Sequence, residues 1–190
     1  MANLHDIVQW CNQTLKANEF KDYAPNGLQI EGKSKVNKIV CAVTASEDAI
    51  DAAIAQQADA LLVHHGYFWK GEPYPITGMR GNRIKKLIQN NISLIAYHLP
   101  LDAHPVLGNN VAIAALIGLH DLEALDPTEK HPIGNIGYLD QALSPEQFKE
   151  RLQAVFDFSV LHLACDKALI QKVGFCTGGA QDFIDKAAQE

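Results

Sequence analysis

Three apolar runs constrain this chain more than any other feature: KIVCAV at 38–43, ADALLVHH at 58–65 and ISLIAYH at 92–98. A stretch with helical character follows each one. After the first, Ile50, Ala53, Ile54 and Gln57 share a helical face, and Thr44 with Glu47 has the spacing of a capping box. A loop holding Pro73, Pro75 and two glycines separates the second run from a helix around 83–89, and 109–116 reads as the third helix. Strand, helix, strand, helix, strand, helix predicts an α/β fold with a mainly parallel sheet flanked by helices. Ahead of it, Leu4, Ile7, Val8, Cys11 and Leu15 recur at helical spacing, and Ala24-Pro-Asn-Gly27 reads as a turn.

The later chain changes character. IGNIGYL at 133–139 is a strand candidate, and Ser144-Pro-Glu is a strong helix start. FSVLHLAC and QKVGFC alternate enough to read as strands, and TGGAQDFIDKAA reads as a glycine turn entering a helix. The length suits one domain or two small ones sharing a sheet. The chain shows no internal repeat and no low-complexity segment.

Composition narrows the function classes. Apolar residues make up 47% of 190, enough for a sizeable core, and the net charge is −6. That balance argues against general binding to nucleic acid or to anionic membranes, both of which need a basic face. No apolar run reaches the ~18–20 residues of a membrane span, and the N-terminus has no signal-peptide core. The four cysteines, Cys11, Cys41, Cys165 and Cys176, show no C-x-x-C spacing; Cys41 and Cys165 read as small buried hydrophobes. A reduced, cytoplasmic protein is the simplest expectation.

Two motifs invite chemistry. GLQIEGKS at 27–34 matches the phosphate-loop pattern letter for letter. That mechanism needs a strand before the loop and a helix after it, and the flanking sequence offers neither, so a turn and connector are expected. The second motif is the adjacent pair His64-His65 at the end of an apparently parallel strand, the edge where ligands bind in open α/β sheets. The next strand ends in YHLPLDAHP, bringing His98, Asp102 and His104 to the same edge. Neighbouring side chains on a strand point to opposite faces, so His64 and His65 are expected to serve two ions rather than chelate one, with Asp102 bridging. Imidazole plus carboxylate suits zinc, iron, manganese or nickel. Taken alone, His98 reads more simply as a hydrogen-bonded core residue, and His104, His120, His131 and His162 as surface or structural ones. Tyr67, Phe68, Trp69 and Tyr74 crowd one loop, as interface anchors, as a lid or as a local apolar plug.

DYAPNGLQIEGK, VTAS, LLVHHGYFW and HLPLDAHPVLGNN together resemble the NIF-three-like proteins, also labelled GTP cyclohydrolase I type 2, from about 22 to 118 and more weakly to GFCTGGAQDF. The resemblance implies a two-lobed α/β protein, with lobes 1–120 and 121–190 and the second truncated at its C-terminus, and a dinuclear metal centre, often assembled as a hexameric ring. It makes His64, His65 and Asp102 metal ligands and puts His98 beside the metals in a catalytic role. The family adds a further His and Glu near its C-terminus that this sequence lacks, so weak ion binding and no robust hydrolysis are expected of these residues alone. A two-metal hydrolase acting on a small molecule is one reading; a non-catalytic metal-binding scaffold or partner-binding ring is the other.

Overall fold

A computed structural model describes residues 1–190 except Cys165, Lys167 and Glu190. It divides into two compact units, Met1–Leu101 and Asp102–Glu190, so the helix at 109–117 belongs to the second unit.

The first unit runs β1 (Ala2–Asn3), α1 (Leu4–Thr14), β2 (Gly27–Ile30), β3 (Lys35–Val36), β4 (Ile39–Thr44), α2 (Glu47–Ala55), β5 (Ala60–His65), α3 (Gly78–Gln89) and β6 (Ser93–Ala96). A single turn, α4 (Leu99–Asp102), follows. The main sheet has the order β2-β6-β5-β4. β4, β5 and β6 pair in parallel, as their crossover helices require. Alternation along the strands divides the core in two. Leu61, Val63, Leu94 and Ala96 face α2 and α3 through Ile50, Ala53, Ile84 and Leu87. Ala60, Ile95 and Tyr97 face α1 through Leu4 and Cys11. Full burial of each large aliphatic among them contributes roughly 1.5–3 kcal/mol.

Several expectations change. GLQI is not a connector but strand β2, antiparallel to β6. The GKS that follows enters the two-residue strand β3 and not a helix, and Lys33 Nζ is held by Asp59 at 2.9 Å. Gly32 sits where an added Cβ would lie 2.4 Å from the Asn91 carbonyl oxygen, so that glycine serves packing. β4 is an edge strand, and α1 does not cover it. Ile39, Cys41 and Val43 are therefore exposed, against the expectation of a buried strand and a buried Cys41. The cap of α2 is Ser46, which accepts from Ala49 N–H, and not Thr44.

The second unit contains α5 (Asn109–Ile117), β7 (Leu119–Ala124), β8 (Asn135–Leu143), α6 (Pro145–Phe156), β9 (Ile170–Phe175) and α7 (Ile184–Gln189). Its sheet, β7-β8-β9, is antiparallel throughout, so parallel pairing is confined to β4, β5 and β6. No helix lies between β7 and β8, and a direct connection permits only the antiparallel arrangement. Ala114, Ile117, Leu119 and Leu139 form the core, with Phe148, Leu152 and Val173 packed on it. α6 starts at Ser144 with a full capping box through Gln147. The described part of FSVLHLAC, Phe158 to Ala164, forms no strand: Phe158, Leu161 and Leu163 are exposed in irregular backbone. Cys165, expected to be buried, lies outside the described residues. Among those described, no helix is long and apolar enough to cross a membrane.

Candidate metal centre

The first unit brings three of the expected residues together. One ring nitrogen each from His64, His65 and His98 lies within 4.8 Å of the others, at half-buried positions. The cluster sits where β5 and β6 end. The last β5–β6 rung pairs Val63 with Ala96, so His64 and His65 stand beyond it, although His65 is still paired with Thr44 of β4. The pleat should send the two rings apart, yet their centroids are 4.4 Å apart and tilted by 44°. Free of β6, the His64 ring turns to the Tyr97 carbonyl, and both rings lean past the strand end onto one volume. Gly66 makes the exit possible: a Cβ there would lie 2.2 Å from Gln29 Oε1 and 2.8 Å from Ala96 Cβ.

Each Nδ1 has a partner. His64 Nδ1 lies 2.9 Å from the Tyr97 carbonyl oxygen. A carbonyl only accepts, so Nδ1 carries the proton and Nε2 the lone pair. His98 Nδ1 lies 2.7 Å from Asp22 Oδ1. His65 Nδ1 lies 3.1 Å from Thr44 Oγ1, a hydroxyl that can donate or accept. Tyr97 is itself anchored to α1, its hydroxyl donating to Asn12 Oδ1 at 2.8 Å.

Asp22 and Trp69 complete the surroundings. Burial pushes the Asp22 carboxyl up. Bonds from His98, from the Asn26 side chain and from the Leu99 and Tyr23 N–H groups outweigh that and hold it below the usual carboxylate range. The Trp69 ring stands edge-on to His98 at 4.9 Å and lies 5.9 Å from His65. Its indole N–H donates to the Gly66 carbonyl at 3.1 Å, and its backbone N–H to Glu72 Oε2, which Arg80 also holds. The aromatic loop thus supplies one wall of the cluster, while Tyr67 is buried with its hydroxyl on the Ala45 carbonyl and Tyr74 is exposed.

Asp102 opens the second unit. It is buried, and its Oδ1 accepts from Asn109 Nδ2 at 2.8 Å and from Thr177 Oγ1 at 3.2 Å. His104 caps its own turn, Nδ1 accepting from the backbone of Val106 and Leu107.

The imidazole set fits a divalent transition metal. Imidazole nitrogens are donors that such ions prefer, and the acceptors at His64 and His98 Nδ1 orient two of the three rings. Two M–N bonds of ~2.1 Å at a tetrahedral angle put their nitrogens ~3.4 Å apart, so a single ion would have to draw the rings together from a spread of up to 4.8 Å. Sequence reasoning missed Asp22, Asn26 and Tyr97 as supports. Asp22 and Asn26 lie in the DYAPNG segment, but only the folded chain places them against His98.

Known proteins agree with this architecture. A protein named GTP cyclohydrolase 1 type 2 homolog from Vibrio cholerae serotype O1 is 52% identical over 181 residues, covering 93% of this chain and 71% of that protein. One of the same name from Haemophilus influenzae is 47% identical, covering all of this chain and 75% of its own length. The solved structure of protein ybgI, described as of unknown function, superposes with a TM-score of 0.93 at 42% identity, over 99% of this chain and 74% of that one. The model of the family described as Duf34/NIF3 (NGG1p interacting factor 3) matches residues 2–190, and the chain belongs to that family.

Proposed function

We propose that this protein is a metal-dependent hydrolase of small molecules, similar to the GTP cyclohydrolase 1 type 2 homologs, using two divalent ions of the zinc, iron, manganese or nickel class. The observation that carries the reading is the convergence of His64, His65 and His98 at the C-terminal ends of two parallel strands. In this reading His64, His65 and Asp102 hold the ions, and His98 is the residue that meets the reacting group. Bound at such a place, divalent ions polarise a substrate oxygen and make a bound water more acidic. The chain's own groups do the rest. His98 accepts a proton at Nε2 while Asp22 keeps Nδ1 protonated, and Trp69 walls off one side of the cluster and restricts water. A hexameric ring in the cytoplasm is the assembly and setting proposed with it.

The test is elemental analysis of the purified protein, followed by a screen of generic phosphate, amide and nucleotide substrates with each metal restored after chelation. Two ions and metal-dependent turnover are expected where the family's further His and Glu are also present, and weaker ion binding without robust turnover from the residues described above alone. Stoichiometric metal without any turnover would favour the scaffold reading, and absence of metal uptake would end both.

A further inference from the structure

The 22–26 turn holds His98 by both its ring and its backbone, and it lies more than seventy residues away in sequence. Asp22 Oδ1 accepts from His98 Nδ1 at 2.7 Å and from Tyr23 N–H at 2.6 Å. Oδ2 accepts from Asn26 Nδ2 and from Leu99 N–H, both at 2.9 Å. Asn26 in turn accepts the His98 backbone N–H on Oδ1 at 2.8 Å. The Asp22 side chain is only 2% exposed and that of His98 16%. A buried carboxylate is costly unless fully bonded, and this one has two donors on each oxygen. If its purpose were only to tie the turn to the end of β6, a neutral amide would do so at lower desolvation cost. What an amide cannot supply is two acceptor-only oxygens. Those compel the imidazole to be the donor at Nδ1 and leave its lone pair on Nε2, whereas free imidazole in water favours the opposite tautomer.

We infer that Asp22 is a positioning residue: it locks His98 in the Nδ1–H tautomer and presents the Nε2 lone pair to the three-histidine cluster. Its use toward metal takes His98 as the third donor of the cluster, in place of the reacting-group role given it in the functional reading above; the tautomer itself rests on neither role. Trp69, edge-on to the same ring, limits the alternative of a flipped imidazole. Asn26 completes the device by fixing the backbone from which the ring projects. The arrangement is the one in which an outer carboxylate orients a metal-facing histidine.

The experiment compares wild type, Asp22→Asn, Asn26→Ala, His98→Ala and the Asp22→Asn/His98→Ala double variant, all as the 190-residue chain. Proton–nitrogen correlation spectra of the metal-free protein, with His98 assigned by its loss in His98→Ala, read the tautomer directly. Wild type should show the His98 proton on Nδ1 and none on Nε2. Asp22→Asn should move it toward Nε2–H. Asn26→Ala, which keeps the carboxylate, should not. Cobalt(II) titration should show affinity falling ~10–100-fold in Asp22→Asn, with no further loss when that change is added to His98→Ala. A wild-type His98 protonated at Nε2, or an unchanged tautomer in Asp22→Asn, overturns the inference. So does an equal cobalt loss with and without the His98 ring, since Asp22 would then act on the fold alone. If Asp22→Asn does not fold, wild type and Asn26→Ala still decide it. If wild type takes up no cobalt, the metal reading falls while the ring spectra continue to judge Asp22.

Discussion

At His64, His65 and His98 the ring nitrogens differ in what holds them, and the differences set what each substitution should do. His64 leans on a backbone carbonyl, which no side-chain change removes. Substituting His64 by Ala should therefore delete a donor and little else, lowering cobalt or zinc affinity by at least the ~10–100-fold that loss of an outer partner costs, with the thermal midpoint nearly unchanged. Competition with a chromogenic chelator measures this, and undiminished affinity would remove His64 from the site. Trp69 offers a second residue-level test. The chain has two tryptophans, and Trp10 is 63% exposed. In a Trp10→Phe background, copper(II) added stoichiometrically should quench the remaining emission, because the indole lies within 6 Å of two of the imidazoles. Emission indifferent to copper would place the ion elsewhere. At this scale the sequence told part of the story. Two adjacent histidines at a strand end signalled a site, but the rule of alternating faces wrongly predicted diverging rings, because it sets the Cβ directions and not where the rotatable rings end up. Asp22 was invisible as a partner, since no spacing rule links residues 76 apart.

Elements were legible where one period dominated. α1, α5 and the strands β4 to β6 were readable because their apolar residues recur at 3.6 or run unbroken. β2 was not, being four residues beside a Pro-Asn-Gly turn, and β7 was obscured by its polar LHDLEA composition. FSVLHLAC misled in the other direction: alternation suits a strand but does not supply a neighbour to pair with. The start of β4 illustrates what does fix an element. Asp59, buried, accepts from Asn37 and Lys38 N–H on Oδ2 and from Lys33 Nζ on Oδ1. The Asn37 N–H bond, then Lys33, hold its carboxyl below the usual carboxylate range against the opposing effect of burial. A depressed folded-state value means stability that is present above the ordinary ~3.9 and is lost as pH falls through the folded value. Asp59→Ala should cost roughly 1–3 kcal/mol at neutral pH, and the difference from wild type should shrink on acidification. Urea melts at neutral and strongly acidic pH check it; a gap that widens in acid would reverse the assignment. At α6, Ser144→Ala should cost about 1 kcal/mol through loss of the cap, read from the same melts.

For the whole molecule, the α/β class was legible because alternating strands and helices leave few topologies open, whereas the antiparallel sheet of the second unit was legible only in β8 and β9, its third strand, polar β7, giving no apolar signal. The exposed irregular stretch around Phe158, Leu161 and Leu163 carries its own expectation. Chymotrypsin at low ratio should cut there first, since proteases need extended, accessible backbone and the enzyme prefers these side chains. Mass spectrometry of the earliest fragments decides it, and a first cut within the β4–β5–β6 ladder would contradict the burial pattern. The bond between Asp22 and His98 has one more consequence, and it is kinetic. β5 and β6 can zip locally through their crossover helix, but Asp22 meets His98 only after a loop of 76 residues has closed. Long closures are entropically late events. In a stopped-flow refolding experiment, backbone dichroism should recover first, and the capacity to capture cobalt should lag behind it. The chain would then acquire its secondary structure before it acquires its appetite for metal.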